Sequence, residues 1–244
     1  LYPFLRKKLQ LRFCRPKFTF GLVKQIITCG SPNFLNNIAG RITAILMNAV
    51  LLRMGGEPAV SIYGILMYLG EIVQPILYGV CDSLQPAVGY NWGAGNYGRV
   101  KAIEKCCFTA SAVVSVLAAA IMLAFPAQLC SLFIQELDQS FLTTAAAALQ
   151  LFSLTYITRW FSFATQSFMI AVDKPLPASI ISVSTALIFP VILLLALWPF
   201  KLTGLWLNSA VTAVLAGALA VIVMLKFKKE FRRLKMQNAQ QANE

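Results

Sequence analysis

The chain has 244 residues, 58% of them hydrophobic and only 12% charged, with a net charge of +12 and no histidine. A soluble domain carries about 25% charged residues, so this composition leaves too little polar surface to coat a globule in water and marks an integral membrane protein. The lack of histidine removes the commonest general base and metal ligand, and the six cysteines show no C-x-x-C spacing, which excludes a zinc site or a disulfide framework as the organising feature.

The opening 1–24, "LYPFLRKKLQLRFCRPKFTFGLVK", carries seven Lys/Arg and no acid. Leu5, Leu9 and Phe13 interleave with Arg6, Lys7, Lys8 and Arg12, which predicts a short interfacial amphipathic helix ended by Pro16. Six apolar segments follow, at about 28–52, 59–82, 104–125, 142–169, 176–198 and 203–225. Each reaches the roughly 20 residues that cross a bilayer core, and in lipid the backbone must satisfy its own hydrogen bonds, so all six are expected to be helices. Short connections such as "RMGGEP" at 53–58 and "DKP" at 173–175 separate them. The expected division is a basic linker over 1–24, an all-α six-helix membrane lobe over 25–226, and a basic tail over 227–244.

Orientation follows from the Lys/Arg bias. Seven lie in the opening segment, three in the 90–105 connection, one in the 173–175 turn and six from Lys226 onward. The opposite side has Arg53 and Lys201 only, and its loop at about 126–141 carries Glu136 and Asp138 without a base. The bias places both termini in the cytoplasm of a multi-pass cell-membrane protein. Cations gathered at span ends suit lipid headgroups rather than a nucleic acid, and no nucleic-acid partner is expected.

"GAGNYG" at 93–98 matches the dinucleotide-binding glycine pattern. That pattern has meaning only between a strand and a helix, with an acid about 20 residues on. Here a lipid-length span precedes it and the later position is Ala118, inside another span. The glycines are instead expected to serve turns and close packing at the cytoplasmic end, or a gate there.

The longer run "QPAVGYNWGAGNYGRVKAIEK" resembles the Q-P-x-x-G-Y-N-x-G-A loop of the multidrug and toxic compound extrusion (MATE) family. "TQSFMIAVDKP", "LTGLWLNSAVT" and the basic "RPKFTFGLVKQIITCGSPNFL" also resemble elements of that family, and the likeness spans nearly the whole chain. The resemblance implies the C-terminal half of a twelve-helix, two-lobe transporter, with a first six-helix lobe as its partner and six spans before Leu1. It further implies a secondary antiporter that exports drug-like or toxic organic compounds in exchange for protons or sodium. Beyond that coupling ion no cofactor is expected, and the remaining partners are membrane lipid and a small organic substrate. A lipid-linked oligosaccharide flippase of the same superfamily is the alternative. Two departures stand out: the eleventh-helix stretch reads "SVSTALIFP" without the arginine common there, and the seventh and tenth spans hold asparagines and arginines in place of coupling acids. A membrane-embedded enzyme would need paired acids or a histidine motif, and the second span offers only Glu71 and Asp82.

Ionisable groups inside membrane helices are costly and mark function by default. Arg41, Glu71 and Arg159 are such groups. Arg41 and Glu71 each lie about 15 residues from the "RMGGEP" turn, hence roughly 22 Å below it, so antiparallel arms would hold them at equal depth. An ion pair between them is expected to offset both desolvation penalties. Helical spacing places Asn33, Asn37, Arg41 and Asn48 on one stripe and Glu71, Gln74 and Tyr78 on another, with Pro75 bending the second arm. Thr155, Arg159, Ser162 and Gln166 form a third stripe. Three roles stay open for these stripes: hydrogen-bonding glue between helices, the lining of a substrate cavity, and ion coupling through Glu71.

The topology predicts a labelling pattern. Single cysteines placed in the 126–141 loop of the intact protein should react with an impermeant thiol reagent from outside the cell, and those at 93–98 should not. The reverse pattern contradicts the orientation.

Overall fold

The computed structural model describes residues 19–133 and 139–241, without the side chains of Cys29, Pro32 and Asn33 and those from Arg232 onward. Regular structure in these residues is entirely helical. In chain order the helices are α1 (Phe20–Asp82), α2 (Leu84–Gly93), α3 (Tyr97–Ala124), α4 (Pro126–Ser131) and α5 (Gln139–Ser153). There follow α6 (Thr155–Ala171), α7 (Pro175–Val183), α8 (Phe189–Ala196) and α9 (Lys201–Gln241). A π-helical turn at Ser184–Ile188 joins α7 to α8. The amphipathic helix expected before Pro16 and the acids Glu136 and Asp138 lie outside the described residues.

α1 is too long for a single membrane crossing. Its 63 residues would measure about 95 Å if straight. Yet Asn36 Nδ2 donates to Tyr78 Oη at 3.1 Å across 42 residues, so the chain must double back. The reversal is at Gly56, whose φ of 68° and ψ of −163° fall in a region essentially closed to residues with a side chain. It lies within the "RMGGEP" turn, and the arms 20–55 and 57–82 form the expected hairpin. Five stretches are long and apolar enough to cross a membrane: Phe34–Gly93, Tyr97–Ala124, Gln139–Ala171, Pro175–Ala196 and Trp198–Phe231. The first is doubled back and supplies two crossings, consistent with six spans.

α6 is the centre of the bundle, with an unbroken run from Ser162 to Met169 buried. It packs against α9, α3, α7 and both α1 and α2. Lipid tails are as apolar as leucine, so helices in a bilayer associate by close van der Waals fit and polar bonds rather than by hiding apolar area. The sequence of α9 suits that rule: Ala210, Ala213, Ala216 and Ala220 recur at helical spacing and are all buried. The outer surface shows the complement, with Ile42, Ile45, Ile72 and Ile76 exposed on α1.

α9 has 41 residues and so runs about 60 Å, twice the roughly 30 Å hydrocarbon thickness. The segment from 227, expected as a tail, continues the same helix to Gln241. It is also held down: Phe227 and Phe231 are buried, and Phe231 stacks on Trp92 at 5.8 Å and meets Tyr97 edge-on at 5.2 Å. Trp92 precedes the "GAGNYG" run and Tyr97 lies within it; the run leaves the end of helix α2 and not a strand, so the dinucleotide context is absent. Only one of its glycines has a conformational reason to be there. Gly95 takes φ 71° in the turn, where the Asn96 amide bonds the Asn91 carbonyl at 2.9 Å. Gly93 and Gly98 have no atom near the place a Cβ would occupy, so close packing does not explain them.

Gly56→Ala should therefore destabilise the purified chain by roughly 1–3 kcal/mol in a detergent melt. Gly93→Ala should change it by less than about 0.5 kcal/mol. Equal effects would contradict the hairpin geometry.

Candidate functional site

A polar chain crosses the interior from α6 to both arms of α1. Arg159 sits inside the Gln139–Ala171 crossing, and its Nη2 donates to Gln74 Oε1 at 3.5 Å. Gln74 Nε2 donates to Tyr78 Oη, also at 3.5 Å, and Tyr78 Oη accepts from Asn36 as well. Phe163 lies beneath: its ring stacks on Tyr78 at a centroid distance of 4.5 Å and receives the Arg159 guanidinium at 5.0 Å. The local sequence explains the assembly. Gln74 and Tyr78 are i, i+4 on one helix, Arg159 and Phe163 are i, i+4 on another, and the two pairs face each other.

The geometry is loose at the charged end. Contacts of 3.5 Å stand at the outer limit of hydrogen bonding, so the 3.1 Å bond from Asn36 is the firm link. Arg159 has no carboxylate within ion-pair distance among the described residues, where Lys174 pairs with Glu230 instead. Its Nε is buried with no hydrogen-bond partner, as are Thr155 Oγ1, Thr158 Oγ1 and Thr165 Oγ1, all on α6. An unsatisfied buried donor costs about 1–3 kcal/mol.

The expected Arg41–Glu71 pair does not form. Both side chains are exposed on this lobe and no ion pair joins them. Asn36 and Tyr78 meet symmetrically about the turn, so the two arms run at matched depth, and it is rotation that separates Arg41 from Glu71. Arg41 lies five residues after Asn36, about 140° round the helix, and so points away from the partner arm. Glu71 keeps the stripe of Gln74 and Tyr78 but lies at its open end. Asn48 is exposed like Arg41. Asn37 is exposed with an interaction of its own, Gln166 is buried and partnered, and Asn33's side chain is outside the described set.

Of the expected site residues the structure thus brings together Gln74, Tyr78 and Arg159, and adds Asn36 and Phe163. Asn36 was adjacent to the expected stripe, and its symmetry with Tyr78 about position 57 was the available signal. Phe163 was signalled only as an aromatic one turn after an intramembrane arginine. Asp82 is a further polar junction: its Oδ1 accepts from Ser167 Oγ at 2.5 Å and from Gln85 Nε2 at 2.8 Å, tying α1 and α2 to α6.

With this geometry in hand, comparison with known proteins gives a consistent result. The MatE family model matches residues 32–195. Multidrug export protein MepA of Staphylococcus aureus (strain NCTC 8325 / PS 47) is 24% identical over 204 residues, covering 83% of this chain and 44% of that protein. MepA of Staphylococcus saprophyticus is 24% identical over 229 residues, covering 91% of this chain and 49% of its own. Among solved structures, a MATE protein in complex with MaL6 superposes with a TM-score of 0.82 at 16% identity, over 93% of this chain and 53% of that one. An outward-facing multidrug resistance MATE transporter of the MOP superfamily gives 0.80 at 17% identity, over 90% of this chain and 49% of the other. The chain spans about half the length of these relatives. The family model covers well over half of the 244 residues, and the chain belongs to the MatE family of membrane transporters.

Proposed function

We propose that this lobe works with a second six-helix lobe as a secondary antiporter that exports organic compounds in exchange for protons or sodium ions. The polar chain Arg159–Gln74–Tyr78–Asn36 is the observation that carries the reading. It places a cation and bonded polar side chains inside a membrane bundle, where ionisable groups mark function by default. Family membership supports transport, and MepA, a relative named as a multidrug export protein, supports organic compounds as the cargo. In this reading the exposed Glu71, Arg41 and Asn48 face the companion lobe, and substrate passes between the two lobes as they rock. Both termini of the segment lie in the cytoplasm and the protein resides in the cell membrane.

Glu71 carries the coupling ion in this account. It is the carboxylate on the same stripe as Gln74 and Tyr78, and its exposure on the lobe leaves it open to protonation or to sodium. One observation favours the flippase reading: the interior charge is the positive Arg159, with no carboxylate in ion-pair range among the described residues, which suits a pyrophosphate-bearing lipid better than an organic cation.

Gradient-driven dye efflux by the intact protein in proteoliposomes separates these readings. Glu71→Gln should bind dye normally yet accumulate at least roughly tenfold less, because a group that only couples contributes to transport and not to affinity. Unchanged accumulation would remove Glu71 from coupling. Absent dye efflux, together with scrambling of a pyrophosphate-linked lipid, would favour the flippase.

A further inference from the structure

A cavity of about 250 Å³ lies between α3, α6 and α9 at the basic end of the bundle, away from the chain around Arg159. Lys101, Glu104 and Lys228 line it at the rim, and Phe168, Phe227 and Phe231 form a buried floor. Helical spacing builds it. Lys101 and Glu104 are three apart on α3, while Phe227, Lys228 and Phe231 fall within one turn on α9.

The floor is a fixed aromatic surface. Phe227 lies 5.8 Å from Phe231 and 5.5 Å from Phe168, and Phe231 is backed by Trp92 and Tyr97. Lys101 Nζ is held 5.4 Å from the centre of the Phe231 ring while remaining exposed. Glu104 is within electrostatic reach of both rim lysines, which leaves the rim with one net positive charge. Lys174 lies over Phe227 but is paired with Glu230, so that neutral pair adds none. The depth is also specific. The apolar run of α9 ends at Leu225 and a basic stretch starts at Lys226, so the cavity opens where hydrocarbon gives way to headgroups.

We infer that this cavity binds the headgroup of an anionic phospholipid, with Lys101 and Lys228 on the phosphate and the lipid's glycerol end on the phenylalanine floor. Its volume falls below the roughly 300–1,000 Å³ of pockets for drug-sized ligands, which fits a headgroup rather than a transported drug. A charge-bearing rim over an apolar floor at this depth matches an amphiphile that lies across the same boundary. Glu104 limits how much negative charge the site accepts, and selects a singly charged phosphodiester over a doubly charged phosphomonoester.

Native mass spectrometry of the full chain in detergent, with phosphatidylglycerol, phosphatidylcholine and phosphatidylethanolamine as probes, tests this. Phosphatidylglycerol should bind most tightly. The double variant Lys101→Gln, Lys228→Gln should weaken it roughly 25-fold, at about fivefold per lysine near a membrane surface. Lys229→Gln, outside the lining, should change it less than about twofold. Glu104→Gln should tighten phosphatidylglycerol binding several-fold, and this arm stands even if the double variant fails to fold. Equal losses from Lys229→Gln and the double variant would overturn the site. So would phosphatidylcholine or phosphatidylethanolamine binding as tightly, or weaker binding in Glu104→Gln. Displacement of the lipid by an equal concentration of soluble glycerol 3-phosphate would reassign the cavity to a free phosphate and overturn the lipid.

Discussion

A charge inside a membrane bundle must be held by something, and in this lobe the charge is Arg159. Apolar packing cannot hold it, because lipid is as good a partner for an apolar side chain as another helix is. The lobe solves this by placing α6 at its centre and bringing α1 back on itself at Gly56, so that Gln74, Tyr78 and Asn36 reach the guanidinium in sequence. Phe163 closes the underside. The small-residue face of α9 allows the close approach that keeps α6 buried. Together these features hold a cation that has no carboxylate in ion-pair range among the described residues.

That arrangement is a poor design for stability alone. Breaking or omitting a counter-ion in a low-dielectric site costs several kcal/mol, and an apolar side chain of similar volume is often neutral or better. In the proposed transport role such an arrangement has a use. In that role a loosely bonded cation can bind and release polar cargo, whereas a fully bonded network only rigidifies.

Much of the architecture was legible in the sequence because hydrophobic length and glycine chemistry act locally. The six spans, the turn near Gly56 and the equal depth of the two arms all follow from composition and a fixed rise per residue. Rotation does not. Whether Asn36 or Arg41 meets the second arm depends on how two helices pack, and adjacent residues differ by about 100° round the axis. The Gln74–Tyr78 stripe was readable because both residues share one face, and Arg159 because a charge in a span demands partners. The identity of those partners came from α6 packing against α1, which no local pattern encodes. The start of the basic tail is packed for a similar non-local reason: Phe227 and Phe231 look like ordinary residues of a polar helix in sequence, and only the fold sets Trp92 and Tyr97 beside them.

The central claim is that Arg159 is retained for transport at the expense of stability. Arg159→Met tests it most directly, by melting temperature and gradient-driven efflux measured on the same preparation of the intact protein. The account predicts an unchanged or raised melting temperature with transport lost. A melting temperature lowered by several degrees, with transport per folded molecule retained, would show that the arginine is structural and contradict the account.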